Sequence, residues 1–414
     1  MSSLTPAPTR TLNIPLDITP KKSYIFGVMF TRQIYPSKTK SWFLFGPRQT
    51  GKSTYVKGLL STSDLYIDLL PQRNFLNYVK NPGRIREEIL AHQKLHDTFV
   101  CVIDEIQKIP SLLDEVHALI ESTDITFILT GSSARKLRRG GANLLAGRAY
   151  NYHLFPLTFQ ELGTHFNLEK ALIIGTLPTL WVDSHEDPRE FLKAYTETYL
   201  KEEVAAEGLV RNIGPFSNFL DIAAANDGEI VNFSNMAREC AVSVKTAQQY
   251  YQILEDTFLA FKLPAWKKST RKRLVSHPRY YFFDPGVTNV LAHTLTEQLN
   301  TRIRGRRFEQ FVIGQILAAI EYKRLDMNLY YWRTNHGSEV DLLLCRGNTI
   351  LAAIEIKSSP HIALEMFSGM MSFQKEHPDT PVFALGHEQT RRLLGNNITL
   401  LNWDNFIAET LESL

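Results

Sequence analysis

The pattern most able to do chemistry in this chain is Gly46-Pro47-Arg48-Gln49-Thr50-Gly51-Lys52-Ser53, running on into Thr54. The apolar run Ser41-Trp42-Phe43-Leu44-Phe45 precedes it and reads as a buried strand, and Thr54 to Leu60 follows with a helical pattern. Strand, glycine-rich loop and helix are the context in which such a loop holds phosphate. Gly46 and Gly51 let the backbone turn its N–H groups inward, and the positive end of the helix dipole faces the same point. Lys52 would reach the β- and γ-phosphates of a nucleoside triphosphate and offset the transferring charge, while the Ser53 hydroxyl would ligate Mg²⁺. A turn that merely joined strand to helix would need neither the lysine nor the serine.

A second group stands at Thr98-Phe99-Val100-Cys101-Val102-Ile103-Asp104-Glu105, an apolar strand that ends in two carboxylates. In a parallel sheet those acids fall at the carboxyl edge, where the phosphate loop also lies. Asp104 would hold the Mg²⁺ hydration shell and Glu105 would polarise the attacking water. A third strand, Ile125 to Leu129, ends in Thr130-Gly131-Ser132-Ser133, and Ser132 is a candidate for sensing the γ-phosphate, although such residues also end ordinary strands. Beyond a basic, glycine-rich loop from Arg135 to Gly141, Arg148 follows Gly147. An arginine there can complete the charge on the phosphate in its own subunit or, in a homo-oligomer, in a neighbour's, or can be a solvated surface residue.

The elements needed to position these residues fit the bulk properties. A chain of 414 residues, 44% hydrophobic and 21% charged, is too long for one core and too apolar for extended disorder. Cys101, Cys240 and Cys345 are too far apart in sequence for a disulfide framework or a zinc site, which fits a reducing, cytoplasmic setting. The segment Met1 to Pro20 lacks the apolar core of a signal peptide. The longest apolar stretch, Ala171 to Val182, is too short to span a membrane, so no membrane partner is expected. Net charge is +3, but two basic clusters stand out: Lys267, Lys268, Arg271, Lys272 and Arg273, and then Arg302, Arg304, Arg306 and Arg307. The expected divisions are a tail over 1–22, an α/β domain over 23–175, a helical linker over 176–212, a middle domain over 213–299 and a last domain over 300–414.

The combination of Gly46 to Ser53, Asp104-Glu105, Thr130 to Ser133, Gly147-Arg148 and Pro156-Leu157-Thr158-Phe159-Gln160-Glu161-Leu162 resembles the prokaryotic AAA-type ATPases that carry a C-terminal domain of unknown function. The likeness continues through Tyr199 to Glu203, Leu254 to Thr257 and Phe282 to Val287. It implies an α/β multidomain chain: a P-loop NTPase of AAA type with a parallel α/β/α sheet, a winged helix-turn-helix, and a C-terminal restriction-endonuclease-like α/β domain. ATP and Mg²⁺ are the cofactors it implies.

Read from its own residues, the middle region supports a helix-turn-helix. Ser234 can cap a helix through Cys240, and Ser243 can cap a second from Val244 to Asp256. Leu259 to Leu263 and Tyr280 to Phe283 are strand-like, with the cluster from Lys267 to Arg273 at the hairpin tip. A basic wing beside Lys245, Gln248 and Gln249 gives residues 234–273 the look of a DNA-binding surface, though Gln and Lys also cover ordinary solvated helices.

In the last domain Glu309 opens the apolar stripe of Val312, Ile313, Ile316, Leu317 and Ile320. Gly337 to Leu344 and Ile350 to Lys357 alternate as a hairpin around Arg346-Gly347-Asn348, with Glu339 and Asp341 sharing one face of their strand and Glu355 and Lys357 one face of theirs. A loop with an odd residue count centred on Asn348 sets Asp341 opposite Glu355, which is destabilising unless something positive lies between them. Mg²⁺ or Mn²⁺ is the obvious candidate. The same residues match the acidic helix residue, Asp and Glu-x-Lys arrangement of endonuclease-like folds. That likeness implies metal binding by Asp341 and Glu355, assistance from Glu309 and positioning of water by Lys357. A sheet face carrying Glu-Lys pairs is the bland alternative.

Two functions follow. The chain is an ATP-hydrolysing enzyme acting on DNA, or it is a nucleotide-switched regulatory protein whose accessory domains bind DNA or protein and cut nothing.

Overall fold

The computed structural model describes residues 22–25, 28–135, 137, 145, 147–182, 187–200, 213–267, 277–395 and 397–414. A short hairpin of β1 (Lys22–Ile25) and β2 (Val28–Thr31) leads in. Next come β3 (Ser41–Phe45), β4 (Leu65–Asp68), β5 (Val100–Asp104), β6 (Thr126–Gly131) and β7 (Ala149–His153). All five pair in parallel, in the order β4-β5-β6-β3-β7.

Buried runs such as Ser41–Phe45 suit a parallel sheet covered on both faces. Alternation divides them. Phe43 and Phe45 pack with Ile85, Ile89, Leu112 and Val116 on one face, whereas Trp42 and Leu44 pack with Tyr55, Val56 and Tyr152 on the other. The result is a mixed α/β architecture whose parallel sheet is consistent with a P-loop NTPase-like domain. The strand that ends in Asp104 is not beside the loop-bearing strand. β6 lies between them, so β3 and β5 are two inter-strand spacings apart, roughly 10 Å.

The middle segment holds helices Ile213–Ala225, Phe233–Glu239 and Val244–Asp256, then β8 (Ala260–Leu263) paired antiparallel with β9 (Arg279–Phe282). Ser243 caps the helix Val244–Asp256 as expected. The preceding helix is capped by Asn232 rather than Ser234: the Asn232 side chain accepts from the backbone N–H groups of Ser234 and Asn235. The edge-on packing of Phe233 against Tyr251 draws that helix start forward. Of the expected basic tip, Lys267 is described and 268–273 lie outside the described residues, as do 201–203.

A helix of 22 residues, Thr301–Tyr322, follows, about 33 Å long. It starts eight residues before Glu309. Its polar first turns are held by acids: Arg304 pairs with Glu169, Arg306 with Glu229, and buried Arg307 with Asp227. Three of the four arginines in the second basic cluster are therefore ion-paired within the chain. The last sheet is mixed, in the order β10-β11-β12-β13-β15-β14: β10 (Asn328–Arg333), β11 (Glu339–Arg346), β12 (Thr349–Ile356), β13 (Val382–Gly386), β14 (Arg392–Leu394) and β15 (Ile398–Asn402).

These parts do not have separate cores. Phe216, Phe219, Leu254 and Tyr281 of the middle segment pack in one cluster with Phe308, Phe311 and Ile316 of the long helix. That helix also reaches the first sheet, where Ala318 and Tyr322 join Trp42 and Leu44. At this junction Arg32 is buried. Its Nε donates to Glu161 at 3.1 Å, Nη1 to the Thr50 carbonyl at 3.1 Å, and Nη2 to the Phe155 carbonyl at 2.5 Å and to the Tyr322 hydroxyl at 3.0 Å. Glu161 in turn completes a capping box with Thr158 at the helix Phe159–Leu162.

Removing the cation would leave the Glu161 carboxylate buried and uncompensated. Arg32→Met is therefore expected to destabilise the first unfolding transition by about 3–5 kcal/mol, read by urea denaturation; a loss under about 1 kcal/mol would mean the junction is not held this way.

Candidate functional site

The loop from Gly46 to Ser53 has a backbone few sequences would adopt. Gly51 caps the helix Lys52–Lys57 with φ 90°, and Gln49 has φ 63°, a left-handed value uncommon outside glycine. At Gly46 a Cβ would stand 2.3 Å from the Leu154 carbonyl oxygen, so the segment after β7 lies directly against the loop. The Thr50 hydroxyl donates to the Pro47 carbonyl at 2.9 Å. Lys52 is buried, and its Nζ donates to the Gly46 and Pro47 carbonyls at 2.8 and 2.7 Å. Ser53 and Thr54 lie in the first turn of the helix, and the Tyr195 hydroxyl reaches the Arg48 carbonyl at 3.4 Å.

The carboxylates at the end of β5 are buried and fully engaged. Asp104 accepts from the Tyr66 and Thr130 hydroxyls. Tyr66 is also hydrogen-bonded to Ser53, so one hydroxyl bridges the two groups expected to hold Mg²⁺. Burial, with the Asp104 charge beside it, pushes the Tyr66 hydroxyl far above its usual range and keeps it a donor. Glu105 is left-handed at φ 62°, which turns its side chain away from the strand direction. Its backbone N–H donates to Thr130 Oγ1 at 3.1 Å. The Gln107 amide donates to the Glu105 carboxylate and, at 3.0 Å, to Ser132 Oγ, which itself lies 3.3 Å from Glu105 Oε2. Gln107 Oε1 is buried without a hydrogen-bond partner. Thr130 and Ser132, on and just beyond the strand between β3 and β5, thus link the two acids to the loop side of the sheet.

Arg148 is placed elsewhere. It precedes β7 and therefore sits at the amino edge of the parallel sheet, opposite the loop, where it pairs with Glu121. Within one subunit it does not reach the phosphate loop, because a strand of five residues, roughly 17 Å, intervenes. Arg135, by contrast, pairs with Asp256 of the middle segment at 3.0 Å, and the Ala134 N–H donates to the Asp256 carbonyl at 3.1 Å. A cavity of about 350 Å³ opens between Gly46 and Pro47 of the loop, Gln252 and Glu255 of the middle segment, and Gly314 and Gln315 of the long helix.

The second group of acids gathers where the long helix meets the last sheet. The hairpin turn has two residues, Gly347 and Asn348, rather than the odd number expected; a bulge at Leu351, between the Cys345–Ile350 and Leu344–Ala352 pairs, then supplies the odd residue. From there Leu342 faces Ile354, and continuing that register by one sets Asp341 opposite Glu355. The Ile356 N–H donates to Asp341 Oδ2 at 2.9 Å. Lys357 Nζ pairs with Glu355 Oε1 at 2.7 Å, and Glu355 Oε2 is buried with no hydrogen-bond partner. Glu309 accepts from the Tyr281 hydroxyl at 2.6 Å and lies 3.6 Å from Arg279. Burial and then the Asp341 charge raise Glu355 to about 8 and Glu309 to about 7. Among the described residues no three His, Cys, Asp or Glu side chains converge tightly enough to hold a metal as they stand.

Arg32, Tyr66, Gln107, Arg279 and Tyr281 also engage the two groups of residues and stand outside the motifs of the sequence. Gln107 could have been found two places beyond Glu105, and Tyr66 on the apolar strand before Asp68; the other three carry no local signal.

Residues 38–163 match the model of an AAA domain, and residues 165–298 and 304–406 match a domain of unknown function (DUF8612) and another (DUF4143). An uncharacterized protein of Mycobacterium tuberculosis is 27% identical over 340 residues, covering 80% of this chain and 74% of its own. An uncharacterized protein of Haemophilus influenzae is 22% identical over 350 residues, covering 76% and 83%. One from Methanocaldococcus jannaschii is 23% identical over 366 residues, covering 81% and 78%. The crystal structure of protein VC1899 from Vibrio cholerae aligns over 85% of this chain and 97% of its own, at 12% identity and a TM-score of 0.20, too low to inform the fold. The chain thus carries a P-loop ATPase-like AAA domain, joined to a DUF4143 C-terminal domain, and these relatives are uncharacterized prokaryotic proteins.

Proposed function

We propose that this chain hydrolyses ATP and acts on DNA, with nucleotide state coupled to the middle segment and to a divalent-cation site in the last domain. The observation that carries the ATPase reading is the grouping of Lys52, Ser53, Asp104 and Glu105 at one edge of the sheet, linked by Tyr66, Thr130 and Ser132. The backbone N–H groups from Gln49 to Ser53 would receive the β-phosphate, and Lys52 would exchange its loop carbonyls for phosphate oxygens. Ser53 and Asp104 would hold magnesium, whose role is to neutralise charge on the transferring group. Glu105, steadied by Gln107 and Ser132, would accept the proton of the attacking water. Arg148 would serve only across a subunit boundary.

The middle helices and the β8–β9 pair fit a winged helix-turn-helix, with Lys245 and Gln248 on the second helix and Lys267 at the start of the wing. In the last domain Asp341 opposite Glu355 suits a hard cation, which prefers two carboxylates completed by waters. The buried, partnerless Glu355 Oε2 supports that fit, because an acceptor removed from water has to be met by a proton or a cation. The same corner supports a second reading, a nucleotide-switched binding protein that cuts nothing, because Arg279 already faces the acids.

Lys52→Ala is expected to cut ATP turnover at least a hundredfold while the melting temperature stays near that of the parent. Phosphate release persisting in that variant would remove the ATPase assignment. Incubated with ATP and Mn²⁺, the parent should nick supercoiled DNA and Asp341→Ala should not; equal nicking by both would favour the binding reading.

The carboxyl of Glu355 also makes stability depend on pH. Folded, it keeps its proton up to about pH 8, whereas an ordinary glutamate releases it near 4.5. Its stabilising contribution is therefore full below about pH 4.5 and is lost as pH rises to about 8. In chelator-treated buffer the parent should lose stability between pH 5 and 8, by at most about 1.4 kcal/mol per pH unit from this group. Glu355→Gln should flatten that slope; parallel urea midpoints for the two proteins across the window would refute the assignment.

A further inference from the structure

Arg279 is the first residue of β9, in the middle segment, yet its side chain points into the acids of the last domain. It is buried, ion-paired to Glu339, 3.6 Å from Glu309 and stacked 4.8 Å over the ring of Tyr331. With Tyr281, Glu309, Glu339 and Asp341 it lines a recess of about 200 Å³. Two residues along the same strand, Tyr281 donates to Glu309, so β9 grips that carboxylate twice. The β8–β9 pair is docked through backbone bonds as well: Trp266 N–H to the Tyr331 carbonyl at 2.7 Å and Tyr331 N–H to the Pro264 carbonyl at 3.0 Å.

An ion pair that served stability alone would have its polar atoms satisfied. Here Arg279 Nε and Glu355 Oε2 are both buried without a hydrogen-bond partner, and among the described residues no cation lies within ion-pair distance of Asp341. The guanidinium therefore offsets part of a negative field that it does not fully pair. A divalent cation is drawn to the same field and is repelled by the guanidinium in it. We propose that Arg279 is an exchangeable counter-ion: a divalent cation binds at Asp341 and Glu355 as Arg279 withdraws, so that the seating of β9 controls loading of the last domain.

This rests on the divalent-cation reading of those carboxylates. The test uses the full, nucleotide-free chain, with Mn²⁺ titrated in and the free ion followed by electron paramagnetic resonance. Arg279→Met, which keeps an apolar contact with Tyr331, should bind one Mn²⁺ at least tenfold more tightly than the parent. Arg279→Lys should stay near the parent, and adding Asp341→Asn to Arg279→Met should abolish binding. Unchanged or weaker affinity in Arg279→Met, with Asp341→Asn still abolishing it, would overturn the counter-ion and leave the metal reading standing. Absence of Mn²⁺ binding in every variant would overturn both. The parent gives a second readout that needs no Arg279 variant. Mn²⁺ should speed hydrogen exchange across 279–282 in the parent but not in Asp341→Asn, and equal exchange in both would overturn the proposal.

Discussion

A single guanidinium sets the relation between the phosphate loop and the rest of the molecule. Arg32 is buried, and burying a charge is costly unless it is paired and fully hydrogen-bonded. Glu161, the Thr50 and Phe155 carbonyls and the Tyr322 hydroxyl meet that demand from four separate parts of the chain. Because each partner must be in place for the charge to be tolerated, the loop, the segment after β7, the capping box at Thr158 and the end of the long helix are fixed together. Gly46 follows from the same constraint: the Leu154 carbonyl is held so near that no side chain fits there.

The long helix extends the consequence. Tyr322 contacts the Arg32 junction and Glu309 faces the acids of the last domain, and thirteen residues of one helix, about 20 Å, separate them. On the other side Arg135, just beyond the strand that positions Thr130, is tied to Asp256 at the end of a middle-segment helix. A shift at the phosphate loop would therefore meet two rigid elements, one leading to the acids and one to β8 and β9. Rigid connection is what coupling requires, and under the proposed function the second arrangement comes from the hairpin that carries Arg279.

How much was legible in the sequence follows the range of the interactions involved. The Gly46–Ser53 loop, the acids closing β5 and the Ser243 cap are set by residues within a few positions of one another, and their types can be read directly. The place of β6 between β3 and β5 is a matter of topology, which strand patterns do not contain. The Asp341–Glu355 register was expected from an odd loop; it arises from a two-residue turn plus a bulge, because an extra residue within the strand shifts the pairing as one in the turn would. Ser234 and Asn232 are equally good caps, and the choice fell to the packing of Phe233 on Tyr251. Arg32 lies 129 residues from Glu161 and 290 from Tyr322, and Arg279 lies 60 from Glu339, so no local pattern marks either. The arginines from 302 to 307 looked like a basic surface because their acids, Glu169, Asp227 and Glu229, are remote in sequence.

Both candidate sites follow one electrostatic rule. Lys52 is satisfied by loop carbonyls, Asp104 by the hydroxyls of Tyr66 and Thr130, and Glu309, Glu339 and one oxygen of Glu355 by Arg279, Tyr281 and Lys357. Charged groups this buried cannot wait unpaired, so the chain supplies its own counter-charges. Any phosphate or cation must then compete with a donor already in place, and the outcome depends on where that donor goes. At the loop Lys52 stands on the helix that the loop opens, and Tyr66 and Thr130 stand on the same sheet as Asp104, so exchange would be a local rotation of Lys52 or Tyr66. At the last domain Lys357 directly follows the strand of Glu355, but Arg279 and Tyr281 belong to a different segment, so under the proposed exchange β9 would have to yield. Under the proposed function, loading the first site would thus be a side-chain event, whereas loading the second would be a rearrangement between segments, which would place control of the last domain in the middle of the chain.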